Sequence, residues 1–185
     1  MSSSPISGAR DRIPSTPYFL KSSRIGFRCW TQDDLPLARE LWSDIEVTRF
    51  IGGPFSDEEI GQKLQREIPR MNALQFQYWP IYLLSNDEHI GCCGLRPYRP
   101  EDQIHELGFH LRPRFWGQGL APEAAREVIR YAFETVGAKA LSAGHHPANT
   151  ASKKLLEKLG FRYVHDEFYA PLQMHLPYYL LTRSA

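Results

Sequence analysis

From Tyr18 onward the chain switches repeatedly between two hydrophobic periods, and each switch marks an element. Ile25 to Trp30 is a short apolar run that predicts a first strand. Thr31-Gln32-Asp33-Asp34 then offers an N-cap to a helix carrying Leu35, Ala38, Leu41 and Trp42 on one face. Ser56-Asp57-Glu58-Glu59 opens a second helix in the same way, running to about Met71, with Pro69 counting against a regular end. Three strand-like runs follow, Gln77 to Leu84, His89 to Leu95 and Ile104 to Leu111, and the polar Ser85-Asn86-Asp87-Glu88 turn joins the first two as an antiparallel meander.

After Leu111 the period becomes helical, with Leu120, Ala124, Val128 and Ala132 on one stripe, flanked by Ala121, Ala125, Ile129 and Phe133, and Gly137 as the stop. A strand over Ala140 to Gly144 leads to a helix from about Thr150 that packs Ala151, Leu155 and Leu159 and ends at Gly160. Phe161 to Phe168 and Pro177 to Thr182 close the chain as two strands. The order predicts an α+β fold: a largely antiparallel sheet of six to seven strands with about four helices segregated around it.

No linker divides this pattern, so residues 18–185 read as one domain, preceded by a Ser/Pro-rich mobile tail over residues 1–17. A length of 185 residues, 42% of them hydrophobic, suffices for a single core. The formal net charge of +1, without a long basic or acidic run, argues against nucleic acid or an anionic membrane as partner. No apolar run approaches the ~20 residues of a membrane span. Cys29, Cys92 and Cys93 have no metal-ligand spacing, and the adjacent pair is a poor disulfide candidate, so a reducing, cytoplasmic setting and a metal-free site are expected.

The segment Arg112-Pro113-Arg114-Phe115-Trp116-Gly117-Gln118-Gly119-Leu120-Ala121 runs from a strand straight into a helix. A helix start leaves amide N–H groups unpaired and carries partial positive charge, which suits a phosphate. Gly117 and Gly119 let phosphate oxygens reach the backbone, and Arg112 and Arg114 add charge nearby. Spacing alone favours an ordinary strand-to-helix turn with Pro113 as a stop. The loop has neither the Lys-Ser/Thr pair of a P-loop nor the third glycine of a dinucleotide fingerprint.

Arg114 to Gly119, followed by Ala121 and Glu123-Ala124, resembles the acetyl-CoA signature of the GNAT superfamily of N-acetyltransferases. Asn149-Thr150-Ala151-Ser152, followed by Leu156-Glu157-Lys158-Leu159-Gly160-Phe161, resembles that superfamily's second cofactor-contacting segment. Glu106-Leu107-Gly108-Phe109 beside these motifs is most similar to the branch of ribosomal-protein alanine and serine N-acetyltransferases. The resemblance covers about Ser23 to Thr182. It implies a GNAT sheet splayed between its fourth and fifth strands, with the pantetheine arm beside Leu111, Arg112 and Pro113. It also implies that the backbone from Trp116 through Gly117, Gln118, Gly119, Leu120 and Ala121 holds the pyrophosphate of acetyl-CoA, with Asn149 and Ser152 touching it from the other side. Many superfamily members place a tyrosine acid where this chain has Leu156, so the usual proton donor is missing.

Acetyl transfer needs a neutral amine, and an α-amine with a pKa of about 7.7–8.0 yields one far more readily than a lysine-like amine at about 10.4. Glu106 is the first candidate for the base: strand alternation puts it on one face with Ile104, Gly108 and His110, and the small Gly108 leaves room for a substrate. Glu167 is a second acidic candidate, since the related branch can carry an acid on that strand, although an edge charge there is also simply solvated. Ser152 is the candidate donor to the departing sulfur, or a helix-start hydrogen-bonder. Tyr78, Trp79, Phe50 and Trp42 are aromatics for the acceptor side or for the core. The resulting expectation is direct acetyl transfer in a ternary complex to a peptide N-terminus or small-molecule amine, by a monomer or homodimer. The competing expectation is a non-catalytic acyl-CoA-binding module.

Overall fold

The computed structural model describes residues 18–183, so the reading of residues 1–17 as a mobile tail lies outside the described residues. Strands β1 (Leu20–Lys21), β2 (Ile25–Phe27), β3 (Tyr78–Leu83), β4 (His89–Arg99), β5 (Ile104–Leu111), β6 (Ala140–Gly144), β7 (Arg162–Tyr169) and β8 (Met174–Thr182) form one sheet in the order β1-β2-β3-β4-β5-β6-β8-β7. The helices are α1 (Leu35–Trp42), α2 (Ile45–Thr48), α3 (Asp57–Leu74), α4 (Leu120–Tyr131) and α5 (Thr150–Lys158). None is long and apolar enough to cross a membrane.

The two faces of the sheet bury different sets of side chains. One carries Ile25, Phe27, Trp79, Ile81, Leu95, Leu107 and Leu111 against Leu120, Ala124, Ala125 and Val128 of α4 and Leu156 of α5. The other packs Trp30, Tyr78 and Cys92 against Ala38, Leu41 and Trp42 of α1 and Ile60 and Leu64 of α3. Strand alternation sends the neighbours Cys92 and Cys93 into opposite cores, so both are fully buried and cannot bridge.

Every strand pairing is antiparallel except β5 with β6, and this pairing spans only Ile104–Glu106 against Ala140–Ser142. Beyond it, Leu107 to Leu111 stay paired with β4, while Ala143 and Gly144 follow β8. The sheet therefore opens between β5 and β6. These are the fourth and fifth strands expected from sequence, renumbered because Leu20–Lys21 adds a short strand ahead of them.

Several boundaries differ from expectation. α3 continues to Leu74 because Pro69 sits on its exposed side while Ile68 and Met71 pack on either flank. β4 extends to Arg99 and β8 starts at Met174, both running through a proline. The four-residue α2 was not anticipated, and α4 passes through a π turn over Ala132–Val136 before Gly137, at φ +77°, ends it.

Candidate active site

A cleft of about 550 Å³ lies where β5 and β6 part. One wall is the end of β5, from Glu106 to Leu111, continuing into Trp116, Gly117, Gly119, Leu120 and Ala121. The opposite wall is the end of β6 with Asn149, Ser152, Leu155 and Leu156 of α5. Phe50, Lys63, Tyr78, Arg96, Tyr169 and Tyr178 close the far end. A more open depression of about 630 Å³ lies behind α5, between Lys153, Glu157, Tyr163 and Tyr179, and touches neither the glycine loop nor Glu106.

The glycine loop folds as a short helical turn over Pro113–Phe115, pinned by Phe115 N–H to Arg112 O and Trp116 N–H to Pro113 O, both at 3.0 Å. The buried Phe115 anchors this turn, and the Trp116 indole donates to Leu111 O at 2.7 Å. Gly117 and Gly119 both have φ of +74°, which side-chain-bearing residues rarely adopt. A Cβ at Gly117 would meet nothing within 4 Å, so that glycine answers to backbone shape and open approach rather than packing. Among the described residues, the amides of Gly117, Gln118 and Gly119 have no protein acceptor, and Gly117 and Gly119 line the cleft at the start of α4. Such a cradle fits a pyrophosphate.

Arg24, absent from the sequence reading, braces this loop. Its guanidinium donates to Gln118 O at 3.1 Å and to Glu123 Oε2 at 2.7 Å, while its amide and the Ser22 hydroxyl hold Glu123 Oε1. Arg112 and Arg114 are engaged elsewhere, by Glu40 at 2.9 Å and Glu88 at 2.6 Å, and neither they, Pro113 nor Gln118 lines the cleft. Asn149 caps α5, its Oδ1 accepting from Ser152 N–H at 3.1 Å, so the two meet each other as well as the cleft. Leu156 presents hydrocarbon at the position where a tyrosine acid would stand.

Glu106 opens only into the cleft and accepts from the Tyr78 hydroxyl at 3.1 Å. Burial pushes its carboxyl above the ordinary range, against the pull of Arg96 and the Tyr78 bond. Tyr78 in turn stays protonated, because burial and the Glu106 charge push its phenol far up. Gly108 does not make room for a substrate as the sequence suggested: a Cβ there would lie 2.0 Å from the Tyr78 oxygen, so the space belongs to the tyrosine. Behind Tyr78, Glu67 accepts from Tyr78 N–H at 2.9 Å and pairs with Arg70 at 2.6 Å and Arg96 at 3.4 Å. The Arg96 guanidinium lies 4.0 Å over the Tyr78 ring. A polar chain thus runs from the core of α3 to the cleft carboxylate.

His110 shares Glu106's face, but burial and the neighbouring Arg96 and Lys63 push its imidazole down to about 3, so it stays neutral at physiological pH. The Trp42 indole donates to its Nδ1 at 3.2 Å. Trp42 and Trp79 are core aromatics, whereas Tyr78 and Phe50 reach the cleft. Glu167 lies outside the cleft lining, taken up by the Tyr98 hydroxyl and by His165 Nε2 at 3.3 Å.

A mixed sheet opened at its single parallel seam, with an amide cradle at one end and a half-buried carboxylate at the other, defines a GNAT-type N-acetyltransferase. The Acetyltransferase (GNAT) domain family matches residues 24–162, and the chain belongs to that family. An uncharacterized N-acetyltransferase, p20, of Bacillus licheniformis is 31% identical over 77% of this chain and 82% of its own. The FsC-acetyl coenzyme A-N(2)-transacetylase of Aspergillus fumigatus is 41% identical over 70% of this chain, which spans 58% of that protein. The ribosomal-protein α-N-acetyltransferase RimL, solved with coenzyme A, superposes with a TM-score of 0.74 at 16% identity, over 87% of this chain and 95% of that one, a likeness of fold.

Proposed function

We propose that this chain transfers the acetyl group of acetyl-CoA directly to a primary amine, either a peptide N-terminal α-amine or a small-molecule amine, with Glu106 as base. The observation that carries this is the meeting, in one cleft, of the unpaired glycine-loop amides and a half-buried carboxylate whose pKa is raised by burial. Acetyl-CoA supplies the thioester. The amides from Gly117 to Ala121 hold its pyrophosphate, and the edge of β5 left unpaired beyond Glu106 offers N–H donors to the developing oxyanion. Glu106 takes the proton from the attacking amine, directly or through water, a role typically worth about 10²–10⁴-fold. The Ser152 hydroxyl, on the cleft wall one turn from Leu156, donates to the departing sulfur. Glu167 takes no part in this scheme.

Release of free thiol from acetyl-CoA on addition of an amine panel tests the proposal, with Glu106→Gln as the comparison. The variant is expected to bind acetyl-CoA normally and to turn over at least ~10²-fold more slowly. The hydrocarbon at Leu156 favours a second reading, a cofactor-binding module without catalysis. Tight acetyl-CoA binding with no turnover of any amine would select it.

A further inference from the structure

The acceptor end of the cleft holds more positive than negative charge. Most cationic side chains around the site have a carboxylate partner: Arg49 pairs with Glu46 at 3.2 Å, Arg70 with Glu67, Arg112 with Glu40 and Arg114 with Glu88. Lys63 has none within ion-pair distance among the described residues, although it lines the cleft and is half-buried. Its ammonium rests 3.9 Å over the Phe55 ring. Glu59, one turn earlier on α3, is occupied by the Ser56 amide and hydroxyl at 2.8 and 2.9 Å. Burial and the adjacent Arg96 and Arg66 push the Lys63 amine down to about 8.

Arg96 is the second cation. It shares Glu67 with Arg70 at the longer distance of 3.4 Å and lies opposite Glu106 in the β4–β5 register. A half-buried cation without a counter-charge, as Lys63 is, is costly. An anion placed against the Lys63 ammonium and the partly exposed Arg96 side chain would supply the counter-charge that Lys63 lacks. Lys154 and Lys158 also reach the cleft, but from exposed positions on α5, the wall that holds Asn149 and Ser152.

We propose that the acceptor carries, besides its amine, an anionic group that Lys63 and Arg96 bind beside Glu106, so that this chain acetylates carboxylate- or phosphate-bearing amines in preference to simple amines. The inference rests on the acetyl-transfer reading above and names its substrate class. Glu106 and the Lys63–Arg96 pair divide the acceptor between them: the carboxylate receives the amine, and the cations receive the anion and set its orientation.

The test uses acceptors that differ in one group: alanine against alaninamide, β-alanine against β-alaninamide, and ethanolamine phosphate against ethanolamine, each with saturating acetyl-CoA. In at least one pair the anionic member is expected to have a kcat/KM about tenfold or more above its neutral partner, as loss of a charge-assisted contact implies. Lys63→Met should bring that ratio to within about twofold, whereas Lys63→Arg should keep most of it. Neutral acceptors equal to or better than anionic ones, or a ratio that Lys63→Met leaves intact, would overturn the proposal while leaving acetyl transfer standing. Should no amine be acetylated although acetyl-CoA binds, the functional reading fails separately, and the anion site is then probed without turnover. Acetic anhydride labelling of Lys63, followed by peptide mass spectrometry, is compared with and without inorganic phosphate or acetate. Selective protection of Lys63 over the exposed Lys139 supports the site, and equal labelling refutes it.

Discussion

Tyr78→Phe isolates one hydrogen bond at the carboxylate proposed as the base. The tyrosine hydroxyl donates to Glu106 at 3.1 Å, and together with Arg96 it opposes the burial that raises the Glu106 pKa. Removing the hydroxyl deletes a contact that favours the ionised form, so the pKa rises further. A hydrogen bond to a charged group contributes about 1.5–3 kcal/mol, and 1.36 kcal/mol corresponds to one pKa unit, so the shift is about 1–2 units. The length of the bond places it at the lower end of that range. The acid limb of kcat/KM, which reports the free enzyme's base, should therefore move to higher pH by about one unit. The carboxylate itself remains, so the rate on the alkaline plateau should fall no more than a few-fold. The measurement is kcat/KM for one amine across pH, with acetyl-CoA saturating, on both proteins. An acid limb that stays in place or moves to lower pH would refute both the electrostatic argument and the assignment of Glu106.

Three other substitutions probe the same framework. Because the folded-state pKa of Glu106 is raised, the folded chain favours the protonated form: its contribution to stability is complete below the unfolded pKa and is lost as pH rises through the folded value. Glu106→Gln is thus expected to have a higher Tm than the parent at alkaline pH, with the gain vanishing in acid by calorimetry; a lower Tm at all pH values would contradict it. Gly119→Val forces a branched residue to φ +74° where the nearest atom, Arg24 Nη2, is a tolerable 3.6 Å away, so strain of roughly 1–2 kcal/mol should appear in urea unfolding, with weaker acetyl-CoA binding. Arg24→Ala removes the brace between Gln118 and Glu123 and should raise the KM for acetyl-CoA by a few-fold, about 1 kcal/mol, with a smaller effect on kcat.

The glycine loop was legible because its geometry is written in local sequence. A strand, two glycines and a helix start are neighbours along the chain, and β5 runs over the predicted Ile104 to Leu111. The proposed acceptor side was not, since its residues come from elements that carry no motif. Lys63 reads in sequence as the solvated side of an amphipathic helix, and Arg96 falls just past the predicted end of its strand. Only the sheet register, which sets Tyr78 opposite Gly94 and Gly94 opposite Gly108, shows that Gly108 accommodates a tyrosine rather than a substrate. The same holds for Arg112 and Arg114: their charge near the loop was visible, but the carboxylates they pair with are distant in the chain. Short elements such as Leu20–Lys21 and Ile45–Thr48 hold too few residues to display a period.

The seam between β5 and β6 is held by three residue pairs, and it separates the strands that carry Glu106 from those that lead into α5. Mechanically the molecule is two plates joined by a narrow hinge line, with α4 fastened mainly to the first. A ligand wedged into the gap would act as a strut. Loading it should slow amide deuterium exchange at Gly108 to His110 and at Ala143 to His145, across the divide from one another.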